Sequence, residues 1–312
     1  EQLLCLEQAI RRARVPKDSE HLIFAQAMHG IAIGNRGDRV QAIAILNETL
    51  AWYQAHGDRP DAIQGIHYVL GILNRDLNHI ELSRQHLSQS LSLARGLNDK
   101  EELRHLLITL AETEIADENA AGAERRLDEG MAVLGSREDA IQAWALNHRA
   151  HAAMLRGDDA AAVSLLTASM QWFAGDDYQG EWGIAWNKQS LGELTLSRGD
   201  AAGALAWFTD SMKRFDDRGD RMGVSWCLCG LAGASVLNND AAQGARLWGA
   251  GEALREQIGC RIAPASRKNR ERSEAILREQ LGEAAFVRLV AEGRAWPAEQ
   301  AVAEALHTQH EK

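Results

Sequence analysis

Apolar residues recur along this chain at helical spacing, in blocks that themselves return about every forty residues. When the small residues Gly30, Gly71, Ala111, Ala150, Gly192 and Ala232 are aligned, a second small set falls twelve positions later, at Ala42, Ser83, Ala123, Ala162, Ala204 and Gly244. Four positions beyond these stand large apolar residues: Leu46, Leu87, Leu127, Leu166, Phe208 and Trp248. Between the two small sets lies a polar turn, written Gly37-Asp38, Asn78-His79, Glu118-Asn119, Gly157-Asp158, Gly199-Asp200 and Asn239-Asp240. Each block predicts two antiparallel helices. Small residues let two helix backbones approach closely, and the large residue fills the adjoining gap.

The unit from Trp182 to Phe215 shows the logic most clearly. Trp186, Leu191, Leu194 and Leu196 mark its first helix, which ends where Gly199 can take the left-handed conformation. Asp200 is placed to cap the second helix, marked by Ala204, Leu205, Phe208 and Met212. Period-two alternation is never sustained, and Pro16, Pro60, Pro264 and Pro297 all fall in predicted connections or first helical turns. A single unit cannot bury its apolar face, so neighbouring units must stack. The pattern therefore predicts an all-α array of helix pairs over residues 1–258 and a helical cap over 259–312. In that cap Pro264 opens a helix that Gly282 ends, and a short pair (Ala284 to Ala295, Pro297 to His307) covers the apolar edge of the last repeat.

Composition narrows the function. The alanine-rich, 46% hydrophobic chain suits packed helices, and a formal charge of -10 opposes direct binding to nucleic-acid phosphates. No run of about eighteen apolar residues would span a membrane and no signal-peptide profile opens the chain, so a cytoplasmic location is expected. Cys5 and Cys260 are isolated, and Cys227 and Cys229, two apart on a helix, point to different sides, so all four read as reduced structural thiols. The chain begins without methionine inside a periodic stretch, Leu3 to Ala13, as expected of a piece of a longer protein.

Catalytic motifs find no starting point. His-Glu-x-x-His, Gly-x-Ser-x-Gly and the phosphate-cradling G-x-x-x-x-G-K-[S/T] loop are absent. His148 and His151 lack a third ligand at metal spacing. The expectation is a protein without enzymatic activity, metal or cofactor. One basic stretch, with Arg261, Arg267, Lys268, Arg270, Arg272 and Arg278, is interleaved with Glu271, Glu274 and Glu279 and reads as a solvated helix face, with docking to an acidic partner or to nucleic acid on a neighbouring domain as the alternative.

The pattern of Gly192, Ala204, Phe208 and Ser211 resembles the tetratricopeptide repeat, stretched here to about forty residues. Residues 178–308, including "GDRMGVSWCLCGLAG" and "LREQLGEAAFVRLV", are similar to the carboxy-terminal sensor region of large bacterial regulators of the signal-transduction ATPase class. These often carry a LuxR-type helix-turn-helix. The resemblance implies a right-handed α-solenoid that senses an effector and biases an ATPase switch and a DNA-binding domain, neither of which lies in this chain. A stand-alone scaffold that assembles protein partners is the alternative.

Tetratricopeptide folds bind ligands in a concave groove lined by the first helix of each unit. Carried onto this chain, the groove rows are Phe24, Gly65, His105, Trp144, Trp186 and Trp226; then Ala27, Tyr68, Ile108, Asn147, Gln189 and Cys229; then Ile31, Ile72, Glu112, His151, Glu193 and Gly233. The resemblance thus implies a site for a peptide, protein or small-molecule effector built from Tyr68, His105, Trp144, Asn147, His151, Trp186, Gln189, Glu193 and Trp226. Aromatic planes would supply area there and polar groups orientation. The tryptophans can equally pack between neighbouring units, and Trp207 and Trp248 read as packing residues.

Overall fold

A computed structural model describes residues 28–30, 38–56, 59–135, 139–174 and 180–307. The expectations for Leu3 to Ala13, Cys5, Pro16, Phe24, Ala27, Ile31 and Gly37 lie outside these residues. The described chain is helical throughout, without strands. Its helices are α1 (Arg39–His56), α2 (Pro60–Asp76), α3 (Ile80–Leu97), α4 (Lys100–Ala116), α5 (Ala120–Leu134), α6 (Ala140–Arg156) and α7 (Asp159–Phe173). They continue as α8 (Gly180–Ser197), α9 (Ala201–Asp217), α10 (Arg221–Leu237), α11 (Ala241–Ile258), α12 (Arg267–Leu281), α13 (Glu283–Arg294) and α14 (Ala298–His307). A 3₁₀ turn, Pro264–Ser266, precedes α12.

The polar turns work as local chemistry requires. Gly157 and Gly199 take φ of 77° and 78°, and Asn78, Glu118 and Asn239 occupy the same left-handed region at 64°, 57° and 61°. The next residue then caps the second helix. Asn119, Asp158, Asp200 and Asp240 accept from the backbone N–H of Gly122, Ala161, Gly203 and Gln243 at 2.9 to 3.1 Å. His79, in the corresponding place, makes no side-chain cap. The connections between pairs use the same device, with Asp99, Asp139 and Asp220 capping α4, α6 and α10.

The small and large positions meet inside each pair. A Cβ on Gly71 would lie 2.5 Å from Leu87 Cγ, and one on Gly192 would lie 2.7 Å from Phe208 Cε1. Leu46, Leu87, Leu127, Leu166 and Phe208 are wholly buried, as are Ala42, Ser83, Ala123, Ala162 and Ala204. A buried hydroxyl ties the two helices near their far ends. Ser90, Ser169 and Ser211 donate to the carbonyls of Gln64, Ala143 and Ala185 at 2.7 to 3.0 Å. In the last pair Gly251 holds that position, and Ser225 supplies the hydroxyl from the other side at 3.0 Å.

Pairs α2/α3, α4/α5, α6/α7, α8/α9 and α10/α11 stack in order, with α2, α4, α6, α8 and α10 forming an inner row. The stack curves until its described ends meet. Arg39 at the start of α1 donates to the carbonyl of Ile258 at 3.3 Å, and the N–H of Arg261 donates to the carbonyl of Asp76 at 2.9 Å.

The last fifty residues divide between two tasks. The helices α13 and α14 pack at the α11 end. Contact there is backbone to backbone: a Cβ on Gly249 or Gly293 would overlap the carbonyl oxygen of Val290 or Arg246. The segment before them departs from expectation and runs along the inner face, where the 3₁₀ turn rests on α6 and α8 and α12 packs on α10. Asn269 donates to both the backbone and the carboxylate of Glu193 at 2.8 Å, and Arg267 pairs with Glu118 on the α4–α5 turn. The basic stretch is therefore not uniformly solvated. Arg267, Lys268, Arg272 and Arg278 are exposed, but Arg270 lies 4.7 Å over Trp248 and pairs with Glu252, and Arg261 is buried.

Candidate functional site

The inner row and the crossing segment line a partly open cavity of about 690 Å³. Tyr68, His105, Trp144, Asn147, His151, Trp186, Gln189 and Trp226 all line it. Successive first helices point equivalent positions inward, so residues about forty apart in sequence converge. Glu193 is the exception: it is 3% exposed and turned under α12, where Asn269 and Gln189 hold it. Its position in the helix is right for the groove, but α12 occupies that stretch of the inner face. Gly65, Cys229 and Gly233 from the same rows do not line the cavity either, while Ile72, Ile108 and Glu112 do.

One wall is aromatic. Trp144 meets Trp182 edge to face at 5.1 Å between centroids, Trp182 meets Trp186 at 6.3 Å, and Trp186 meets Trp226 at 5.1 Å. Phe173 and Phe215 back this row from the outer helices, 5.0 Å from Trp144 and 4.8 Å from Trp186. The two roles open for the tryptophans are held together: the rings pack between neighbouring pairs and present the remaining surface to the cavity. Trp182 was missed by the groove register, although it precedes Trp186 by one helical turn and so shares its face. Its indole donates to Asp220 at 2.8 Å, joining α8 to the cap of α10.

The opposite side is ionic. Arg75 pairs with Glu112 at 2.6 Å and with Asp76 at 3.1 Å; Arg39 reaches Asp76 at 3.4 Å, and Arg261 reaches Glu112 at 3.8 Å. Burial works against the charge on Glu112, yet the neighbouring Arg75 guanidinium holds its carboxyl below the usual range. Burial, aided by Arg75, lowers the pKa of Arg261. Trp226 lies 5.7 Å from the Arg261 guanidinium, and its indole donates to the Arg261 carbonyl at 3.2 Å. Arg261 thus touches both walls.

Polar groups between the two walls are largely committed to one another. Tyr68 and His105 share a hydrogen bond at 3.1 Å, and burial pushes the Tyr68 phenol up to about 12. Asn147 donates to the buried Asn187 at 3.1 Å, and His151 meets the hydroxyl of Ser190 at 2.7 Å. Burial depresses His148 and His151 to about 4, so both are neutral near pH 7. The Nδ1 of His148 and the Nε of Arg261 are buried without hydrogen-bond partners.

The groove rows omit Arg75 and Arg261 for different reasons, and Arg261, expected on a solvated face, is buried instead. Arg75 lies four residues after Gly71, at a further inward position of its helix, and could have been found there. Arg261 reaches the cavity through a connection outside the repeat, which periodicity does not reach. Compared with protein-family models and with curated proteins, the sequence matches none.

Proposed function

We propose that this chain is a non-enzymatic ligand-binding domain whose effector occupies the central cavity. The supporting observation is the convergence of eight inward side chains from successive helix pairs on one space of about 690 Å³, the size range of small-molecule sites. Of the peptide, protein and small-molecule effectors considered, the last fits best, because residues 259–272 already lie along the inner face where a partner helix would dock.

The domain acts as the sensor arm of a bacterial transcriptional regulator, a tetratricopeptide-type right-handed solenoid that biases an ATPase switch and a DNA-binding domain lying outside this chain. The contacts around the cavity suit that role. Both described ends of the stack border it, through Arg39, Asp76 and Ile258 at one seam, so a ligand preferring the closed arrangement would shift the protein toward it. A screen of small organic compounds, read by tryptophan emission, is expected to find saturable ligands whose effect disappears in Trp186→Ala and Trp226→Ala. Retention of the full response in folded variants lacking Trp144, Trp186 and Trp226 would overturn the reading.

A further inference from the structure

We infer that the effector is an organic anion: a carboxylate, sulfonate or phosphate group on a flat apolar body. The inference rests on the cavity being the ligand site and adds the chemistry of what enters it. Five arginines line the cavity (Arg39, Arg75, Arg218, Arg221 and Arg261) against three carboxylates (Asp76, Glu112 and Asp220), in a chain whose net charge is -10.

The surplus is sharpest at the buried pole. There three guanidinium groups share two carboxylates, and Glu112 sits 2.6 Å from Arg75 but 3.8 Å from Arg261. Arg261 is the weakly compensated member. Its side chain is 8% exposed, and its Nε has no hydrogen-bond partner. A buried cation with a remote counter-charge is costly, and an anion entering the cavity would supply what Glu112 does not. His148, 6% exposed with its Nδ1 unpartnered, is a second under-satisfied group on the same lining.

The remainder of the cavity specifies the body of the ligand. From Arg261 the surface passes directly onto Trp226, then Trp186, Trp182 and Trp144, with ring centroids 5.1 to 6.3 Å apart. Edge-to-face rings of this kind complement a planar apolar group. A neutral sugar would leave the arginine surplus uncompensated, and a bare inorganic anion would leave the indole wall empty.

Two probes with the same aromatic body separate the possibilities: the anion 1-anilinonaphthalene-8-sulfonate and neutral N-phenyl-1-naphthylamine. Each is titrated into the full chain and followed by emission excited through the tryptophans. The expected result is one sulfonate probe per chain, bound about tenfold more tightly than the neutral one, the scale of a charge-assisted contact. Arg261→Gln should remove that preference with little change for the neutral probe, and Arg261→Lys should keep most of it. If Arg261→Gln does not fold, the wild-type ratio and Arg261→Lys still decide. Equal affinity for both probes would overturn the anion and leave the cavity as a site for apolar ligands. If neither probe binds saturably at one per chain, both the anion and the cavity reading fail.

Discussion

His148 sits on α6 among Glu112, Arg75 and Arg261, and burial holds its imidazole at about 4 against an ordinary value of 6.5. Between those two pH values the unfolded chain binds the proton and the folded chain does not, so stability is full above about pH 6.5 and falls as pH drops toward 4. At 1.36 kcal/mol per pH unit, His148 alone accounts for about 3 kcal/mol over that interval. Thermal midpoints between pH 7.5 and 4.5 should fall steadily in the wild type and less steeply in His148→Gln. Asp139 is a second residue with a calculable role: it caps α6 and forms two hydrogen bonds, at 2.5 and 2.9 Å, with Arg104, which is completely buried. Asp139→Ala should cost roughly 3–5 kcal/mol by stranding that cation, read as a lower urea midpoint at unchanged slope. Neither role was legible in the sequence. Nothing in a linear pattern says that Arg104 points inward, because its partner arrives thirty-five residues later from the next pair.

Elements were the most legible level. The turn residues carry their own conformational preferences, and caps act within three residues, so local chemistry sets helix ends before packing begins. The small and large positions were legible because each helix hairpin repeats one packing problem six times in the sequence. The crossing of α11 and α13 follows the same rule without the repetition. Gly249 and Gly293 let the two backbones touch, and Gly293→Ala must push α13 outward against the carbonyl of Arg246. Overpacking of this kind costs about 1–3 kcal/mol. Hydrogen exchange should quicken in α13 and α14 while α2 to α5 keep their protection, since contacts in the stack are mostly between neighbours.

At the scale of the whole molecule, the joining segment matters more than its length suggests. Residues 259–272 bring Arg261 to α2 and α4, and bring Asn269 to α8. Burial raises the pKa of Glu193, and the Asn269 amide opposes that by donating to its carboxylate. Asn269→Ala should deprive this buried carboxyl of its amide donor from α12, costing about 1–3 kcal/mol. The accompanying sign is faster hydrogen exchange in α12, with no change in α6 and α7. No helix among the described residues is long and apolar enough to cross a membrane.

By itself the sequence determined the helices, their turns and caps, and the meeting of small with large positions inside each pair. Each of these follows from local preference or from a period that every repeat shares. Tertiary structure alone decided that the array curves until Arg39 meets Ile258, that α12 lies over Glu193, and that Arg261 comes beside Glu112 on the ionic side of the cavity. Those contacts join residues far apart in the chain and outside the repeat. They arise from the curvature summed over all the pairs, a quantity that no single block of forty residues encodes.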